Sequence, residues 1–241
     1  MNVLAIETST SQLGVALVEE QRVLGSYELL AERAHAVELP QAVTRVLKAA
    51  GIALEQVDGL AIDIGPGSFT GLRIGVAFVK ALAFQLKKLV VGVPSLDVMA
   101  ANHLFAPHLV CPIVDAKQKK LYAALYRTTD GGLAKQSDYH LLTVEELIPM
   151  LKDASVMFLG DGIPLYRQRL AQALGERALF ATPDWWFPRV ATLGRLGLER
   201  LNKGQHDDPS HLVPMYLYPM TCTIRLSDRP HGAPRQSVQH A

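Results

Sequence analysis

The chain has 241 residues and a formal net charge of +1, with 49% hydrophobic and 20% charged residues. Burial of this many apolar side chains can offset the entropy cost of ordering the chain, whereas a net charge near zero excludes a global field directed at nucleic acid or anionic lipid. Two cysteines exclude a disulfide framework, and because no apolar run approaches about 20 residues and Glu7 interrupts the first one, we expect a cytoplasmic protein without a membrane span.

The first part of the chain predicts one supersecondary unit. Apolar residues at helical spacing before Gly51 and before Lys87 mark two helices. The predicted strands are residues 3–6, 14–18, 22–29, 60–64 and 90–93, and the predicted helices are residues 36–50 and 72–86. A glycine-rich turn at residues 65–71 connects the fourth strand to the second helix.

The same order of elements begins again near residue 109. Superposing Glu7 on Asp115 aligns the strands that follow these two acids without a gap, and Thr143 with Glu146 forms a capping box that opens a short helix. The predicted elements are strands at 109–114, 121–127 and 156–159, an extended stretch that ends at residue 142, and helices at 165–174 and from 188 or 189 to 203.

A duplicated unit of this kind predicts an α/β fold of two lobes with a cleft between them. Its order, βββαβα in each lobe, resembles the architecture of actin, the sugar kinases and the Hsp70 ATPase. We expect the N-terminal lobe at residues 1–98, the C-terminal lobe at residues 99–222 and a disordered tail, rich in Pro and Gly, at residues 223–241.

In that fold, the turns of two hairpins face each other across the cleft and bind nucleotide phosphates. The matching turns here contain Glu7, Thr8 and Asp115, which become candidates for nucleotide or anion contact, although acids at strand ends also simply cap turns. Ser9 and Lys117 stand where active members have glycine, and a side chain there keeps a phosphate away from the backbone. The turns therefore argue against phosphoryl transfer by this chain alone.

The segment at residues 65–75 is the strongest local signal, because a strand end passes through three glycines into a helix. The N–H groups at the helix start could bind an anion together with Gly67, Ser68 and Arg73. A sharp turn that needs glycine dihedral angles explains the segment equally well. The segment matches neither the GxxxxGK[ST] phosphate-binding pattern nor the GxGxxG dinucleotide pattern.

The histidines do not have the spacing of metal ligands. His103 and His108 are five residues apart, as are His206 and His211, whereas two imidazoles share one helix face at a spacing of i, i+4. We expect neither a metal nor a cofactor to be bound by this chain alone.

Several segments together resemble one protein family. They are Glu7-Thr8-Ser9, His35 with Leu39-Pro40, the whole stretch 65–75, Gly92-Val93-Pro94-Ser95-Leu96 and Val114-Asp115-Ala116. To about residue 217, the chain is similar to the TsaB family, also called YeaZ. Its members are inactive paralogues of TsaD, which transfers threonylcarbamoyl to N6 of adenosine 37 in tRNAs that decode ANN codons. The family often has Pro-x-Tyr-Leu-Arg near the C-terminus, where this chain ends the motif with Tyr218.

The resemblance implies a non-catalytic scaffold subunit that binds TsaD, with TsaE, a P-loop ATPase, as a further component. It implies that helices 36–50 and 72–86 form a bundle with the equivalent helices of TsaD, or with a second copy of this chain. The implied interface residues are His35, Leu39, Val43, Leu72, Gly75, Val76 and Val79. Contact with tRNA would be indirect, and ATP or ADP would bind at the interface of the complex.

Alternatives remain open at this point. The apolar stripes of both helices could face this chain's own sheet instead of a partner. The chain could also be an independent ATP-binding enzyme of the sugar-kinase type. A peptidase ranks last, because the sequence offers neither a metal-binding pair nor a nucleophile paired with a base.

Overall fold

The computed structural model describes residues 1–20, 22–31, 34–103, 105–130, 132–151 and 153–218. Within these ranges the chain forms two lobes, each built on a mixed β-sheet with helices packed on its faces. The predicted tail at residues 223–241 lies outside the described residues.

The first lobe contains a five-stranded sheet. Its elements are β1 (Asn2–Glu7), β2 (Gln12–Glu19), β3 (Arg22–Leu30), α1 (His35–Ala50), β4 (Gly59–Asp63), α2 (Phe69–Leu86) and β5 (Leu89–Val93). The strand order is β3-β2-β1-β4-β5, with β2 antiparallel to both β1 and β3, β4 parallel to β1, and β5 parallel to β4. Strands β1 and β4 are buried on both faces, which explains why they read as nearly continuous apolar runs.

The second lobe repeats this order of strands. Its elements are α3 (Ser95–Ala101), β6 (Leu109–Lys117), β7 (Lys120–Ala123), β8 (Tyr126–Thr129), β9 (Gly132–Lys135), β10 (His140–Leu142), α4 (Val144–Met150), β11 (Val156–Leu159), α5 (Ile163–Leu174) and β12 (Ala178–Phe180). The central path is β10-β7-β6-β11-β12, equivalent to the first sheet strand by strand. The predicted duplicated α/β fold of the actin and sugar-kinase type is therefore confirmed.

The ends of three helices follow from local chemistry. Gly51 ends α1 with a φ of 67°, the left-handed conformation that glycine adopts without strain. Thr143 and Glu146 form the predicted capping box at the start of α4. Helix α2 begins three residues earlier than predicted, because Ser68 accepts a hydrogen bond from the Gly71 N–H and caps the helix.

The predicted strand at 121–127 is broken in two, and this prediction is wrong. Residue Leu125 leaves the sheet because its N–H donates to Ser137 Oγ at 3.0 Å and its carbonyl accepts from the Gln136 N–H at 2.7 Å. The chain then forms the β8–β9 hairpin, whose Tyr126 pairs with Val110 of β6 on the same edge of that strand as β7, because β11 occupies the other edge. Neither this hairpin nor helix α3 was expected from the sequence.

The last helix, α6 (Val190–Asn202), packs on the first lobe although it follows the second lobe in sequence. Val190, Leu193 and Leu198 share a core cluster with Val3 of β1 and Val18 of β2. Helices α1 and α2 cover the opposite face of the same sheet. Helix α6 falls within the range 99–222 predicted for the C-terminal lobe but packs on the N-terminal one. The first sheet has two apolar faces, of which α1 and α2 cover one and α6 covers the other.

The segment after α6 runs along the first lobe and reaches the second. The Asp207 N–H donates to the Val90 carbonyl at 2.8 Å, and the Met215 N–H donates to the Ile64 carbonyl at 2.7 Å. Tyr218 then donates through its hydroxyl to the Ala116 carbonyl of β6 at 2.9 Å. The segment thus connects the strand ends of both lobes.

Candidate functional site: the glycine-rich helix and the buried carboxyl pair

Two carboxyl groups lie together inside the first lobe. Glu7 ends β1 and Asp63 ends the neighbouring parallel strand β4, and their side chains are 1% and 0% exposed. Ser9 joins them, because its Oγ lies 2.6 Å from Glu7 Oε1 and 3.2 Å from Asp63 Oδ2. Asp63 Oδ1 also accepts from the Gly65 N–H at 2.7 Å and from Ser95 Oγ at 2.5 Å.

The pair cannot hold two full negative charges. Burial raises the pKa of Glu7 well above its ordinary value, and the charge of Asp63 raises it further. Burial also raises the pKa of Asp63, but hydrogen bonds from Glu7, Ser95, Gly65 and Ser9 counteract that rise. The pair therefore keeps a proton to a higher pH than a free carboxyl group does, and the stronger rise in pKa is at Glu7.

The glycines of the segment at residues 65–75 meet the first hairpin turn. A Cβ atom at Gly67 would overlap the Ser9 carbonyl, one at Gly71 would overlap the Thr8 carbonyl, and one at Gly75 would overlap Thr8 Oγ1. The Ser68 N–H also donates to the Ser9 carbonyl at 2.6 Å. These glycines are thus required because helix α2 and the turn lie in direct backbone contact.

This contact corrects the anion-site prediction at the first turn. Glu7 and Thr8 are buried under α2, so a ligand has no access to them. Gly67 is half-buried, while Ser68 and Arg73 are exposed at the start of the helix. The Ser68 hydroxyl is used as the helix cap, and the Arg73 guanidinium lies 5.0 Å from the centre of the Phe69 ring.

The second hairpin turn is also closed on itself. The Asp115 carboxylate accepts from the Lys117 N–H at 2.9 Å and from Lys117 Nζ at 2.5 Å. Lys117, Gln118 and Lys119 all have φ between 51° and 65°, a conformation that side chains disfavour. The candidates for anion contact are therefore divided between two turns, and the Asp115 carboxylate is engaged by Lys117 of its own turn.

The predicted interface residues lie inside the first lobe. The seven residues His35, Leu39, Val43, Leu72, Gly75, Val76 and Val79 are all buried in this chain. Leu39, Val43, Val76 and Val79 belong to the core cluster beneath the first sheet, so the alternative in which the stripes face the chain's own sheet is confirmed. A partner on these helices would contact other residues.

Helix α2 has a second, outward face that is apolar and uncovered. At a spacing of four residues, Phe69, Arg73, Ala77 and Ala81 lie along it, and Phe84 follows one turn later. Phe69 and Phe84 are 56% and 58% exposed. We call these five residues the outer face of α2; α1 adds Val37, which is 67% exposed, at its start.

Among the described residues, α2 alone is long and apolar enough to cross a membrane by length and composition, and a third of it is buried. One such helix is weak evidence for a membrane span, since a helix that binds both a core and a partner has the same composition. Within the described ranges, no three His, Cys, Asp or Glu side chains are grouped as metal ligands.

The sequence did not identify Asp63, Ser9 and Ser95 as members of this site. A signal was present at Asp63, because a carboxylate inside an otherwise apolar strand has to find a partner when buried. Ser95 joins the site from the start of α3, a helix that the sequence did not predict.

Sequence comparisons show which known proteins this chain is similar to. The family model described as "TsaD: tRNA N6-adenosine threonylcarbamoyltransferase" matches residues 25–222. A curated relative from Bacillus subtilis (strain 168), the tRNA threonylcarbamoyladenosine biosynthesis protein TsaB, is 34% identical over 219 residues, which are 90% of this chain and 94% of the relative. The chain belongs to the TsaB family. The resemblance inferred from residues 7–9 and 65–75 is therefore confirmed.

Two further comparisons extend this result. The TsaB protein of Escherichia coli (strain K12) is 33% identical over 135 residues, which are 55% of this chain and 58% of that relative. The solved structure of YeaZ from Pseudomonas aeruginosa is 29% identical and superposes with a TM-score of 0.79 over 90% of this chain and 99% of its own. The fold of that structure is thus shared over most of this chain.

Proposed function

We propose that this chain is a non-catalytic scaffold subunit in tRNA threonylcarbamoyladenosine biosynthesis and that it binds a TsaD-type transferase through the outer face of α2. One observation carries the proposal: an 18-residue apolar helix is only one-third buried, on a lobe whose phosphate-binding turn is filled by that same helix. Large exposed apolar surfaces on soluble proteins mark binding sites for other proteins.

The filled turn supports the non-catalytic part of the proposal. Nucleotide-binding members of this fold bring phosphates close to the backbone of the first hairpin turn. Here the Thr8 and Ser9 carbonyls contact the glycines of α2, and the neighbouring Glu7 is buried with Asp63. The turn therefore contributes to the stability of the lobe and has no exposed group left for chemistry.

The outer face of α2 has the shape of a helix-packing surface. Ala77 and Ala81 leave a shallow groove, and Phe69 and Phe84 stand at its two ends. Small residues allow a partner helix to approach to the 8–10 Å typical of packed helices, while the two rings supply most of the buried apolar area. An equivalent helix of a related lobe would fit this face.

A second copy of this chain carries the same face, so a homodimer through α2 is expected when the transferase is absent. Binding of the transferase would then compete with self-association. In the proposal TsaE and ATP or ADP join the assembled complex, tRNA is contacted indirectly, and the whole complex works in the cytoplasm.

A paired set of variants tests the proposal. Ala77→Glu with Ala81→Glu places two carboxylates in the middle of the outer face, and we expect binding to purified TsaD of the same organism to weaken at least about 100-fold in calorimetry. Leu165→Glu is the matched control, because Leu165 is 60% exposed on α5 in the other lobe. Thermal melting shows that each variant is folded.

Mass spectrometry of tRNA gives the functional readout. TsaD and TsaE with the activated threonyl donor should modify tRNA with the wild-type chain and the control, and poorly with the double variant. Equal modification without this chain would refute the proposed scaffold role. Tight magnesium-dependent ATP binding by the isolated chain would favour a kinase-like enzyme instead.

A further inference from the structure

A large cavity lies between the lobes, away from both hairpin turns and from the outer face of α2. Its volume is about 1050 Å³. Its walls come from β3, the end of β5, α3, the β8–β9 hairpin, the turn before α6 and one face of α6. A cavity of this size is at the upper end of the range for small-molecule sites.

The carboxylates that line this cavity already accept hydrogen bonds from, or pair with, groups of this chain. Glu28 accepts from Arg189 Nη1 and from the Val190 N–H, both at 3.2 Å. Asp97 accepts from the hydroxyl groups of Tyr126 at 2.6 Å and Tyr139 at 2.8 Å. The third acid, Glu199, pairs at 2.6 Å with Lys203, which does not line the cavity.

Three cations of the cavity have no carboxylate partner among the described residues: Lys135, Arg195 and Arg200. Arg195 donates one hydrogen bond, to Thr192 of its own helix, and Arg200 donates one to the Gly92 carbonyl. A guanidinium carries five N–H donors, so most of those of both arginines are unused. The cavity therefore has positive charge and free donors to offer an anion.

Aromatic and aliphatic side chains form much of the remaining lining, together with the polar residues Ser26, Asn102 and Thr192. Trp185 lines it with an indole that is 38% exposed, and Phe105 stands at the rim with 90% of its side chain exposed. Leu133 and Leu196 add aliphatic surface on opposite walls. An inorganic anion would leave this surface uncovered, whereas a ligand with a planar ring would bury it.

We infer that this cavity binds a small phosphorylated heteroaromatic ligand of the mononucleotide type, with its phosphate held by Lys135, Arg195 and Arg200 and its ring against Trp185. Arginine is suited to phosphate because its planar N–H groups bind two oxygens at once. The site is separate from the phosphate turns of the fold and does not depend on the proposed partner of α2.

Calorimetric titration of the full chain with AMP, GMP, CMP and UMP tests the inference, with adenosine and inorganic phosphate as partial ligands. At least one mononucleotide should bind with a Kd below about 1 mM, while adenosine and phosphate each bind at least about tenfold more weakly, since each supplies half of the contacts. Raising the salt concentration should weaken the binding, because the charges are partly exposed.

Two variants assign the binding to the cavity. Lys135→Ala and Arg195→Ala should each raise the Kd at least about fivefold, since each removes a charge-assisted contact. Arg167→Ala is the matched control, because Arg167 is an exposed helix arginine that lies over the Phe180 ring outside the cavity. The inference is refuted if no mononucleotide binds below about 5 mM, or if Arg167→Ala and the two cavity variants change the Kd equally.

Discussion

At the scale of single residues, the buried pair of Glu7 and Asp63 is the least expected feature of the first lobe. Burial of a carboxylate is costly unless it is neutralised or paired, and here one proton neutralises one of the two groups. Glu7 Oε1 accepts hydrogen bonds from both the N–H and the hydroxyl of Ser9. Position 7, which aligns with a catalytic turn, is thus part of a hydrogen-bond network that holds β1 beside β4.

The raised pKa of Glu7 predicts a stability that falls with pH. The folded chain keeps its proton while the unfolded chain loses it above the ordinary pKa of 4.5, so folding is favoured less as the pH rises from there toward the folded pKa. Glu7→Gln keeps the shape and the oxygen that accepts from Ser9, without the titrating proton. Relative to the wild type, its free energy of unfolding should rise by up to about 1.4 kcal/mol per pH unit above this point.

Urea unfolding at pH values between about 5 and about 9 measures this difference in the free energy of unfolding. Asp63→Asn is the informative counterpart, because one of the two carboxylate oxygens becomes an N–H₂ group. In one orientation this group faces the Gly65 N–H and Ser95 Oγ, and in the other it faces Ser9 Oγ. The substitution should destabilise the fold at every pH. A parallel pair of pH profiles for wild type and Glu7→Gln would contradict the raised pKa of Glu7.

At the scale of elements, helix α2 has one face that is buried in the core and one that is exposed. Its glycines and Val76 and Val79 pack inward on the first turn and the sheet, whereas its outer face is exposed in this chain. Because most residues of both faces are apolar, the sequence shows only a weak division between an apolar and a polar side.

Packing of α2 on the first turn predicts a contrast between two glycine substitutions. Gly71→Ala places a methyl group on the Thr8 carbonyl, and although alanine favours helix formation, the variant should lose about 3 kcal/mol or more of stability. Gly51→Ala meets no atom within 4 Å and should lose only about 1 kcal/mol, from its left-handed backbone. Chemical denaturation of both variants gives the comparison, and similar losses would show that the α2 contact is not tight.

The elements that the sequence predicted correctly are those whose signal is local. Helical periodicity, the capping residue Thr143 and the C-terminal glycine of α1 depend on neighbours within about four residues, so α1, α2, α4 and most strands were placed within a few residues. The interruption at Leu125 was missed because it depends on Ser137, a residue in a distant loop. The burial of His35 and Val79 was missed for a similar reason, since an apolar stripe does not reveal which surface covers it.

At the scale of the whole molecule, α6 packs a late part of the chain against the first strands, β1 and β2. Leu193 is fully buried between the first sheet and this helix, and α6 begins only after the second lobe is complete. The second lobe is therefore inserted between two parts of the first, and the core of the first lobe is complete only when α6 has packed on its sheet.

This topology predicts that both lobes unfold in one transition. Leu193→Ala should lower the free energy of unfolding by about 2–5 kcal/mol. The urea concentration at which β1 exchanges and the concentration at which β11 exchanges should fall by the same amount. Hydrogen exchange of the two strands, followed by mass spectrometry at increasing urea, measures the two lobes separately. A variant in which β11 stays protected after β1 has exchanged would contradict the prediction.

The return of α6 also bears on synthesis at the ribosome. When β5 has emerged, the first sheet can gain α1 and α2 on one face, but Val3, Ala5 and Val18 on the other face stay open to water until residues 190–202 have been translated. Nearly half of the chain is made during this interval, and an uncovered sheet face is prone to aggregation. We therefore expect the nascent first lobe to need protection of this face until α6 has been made.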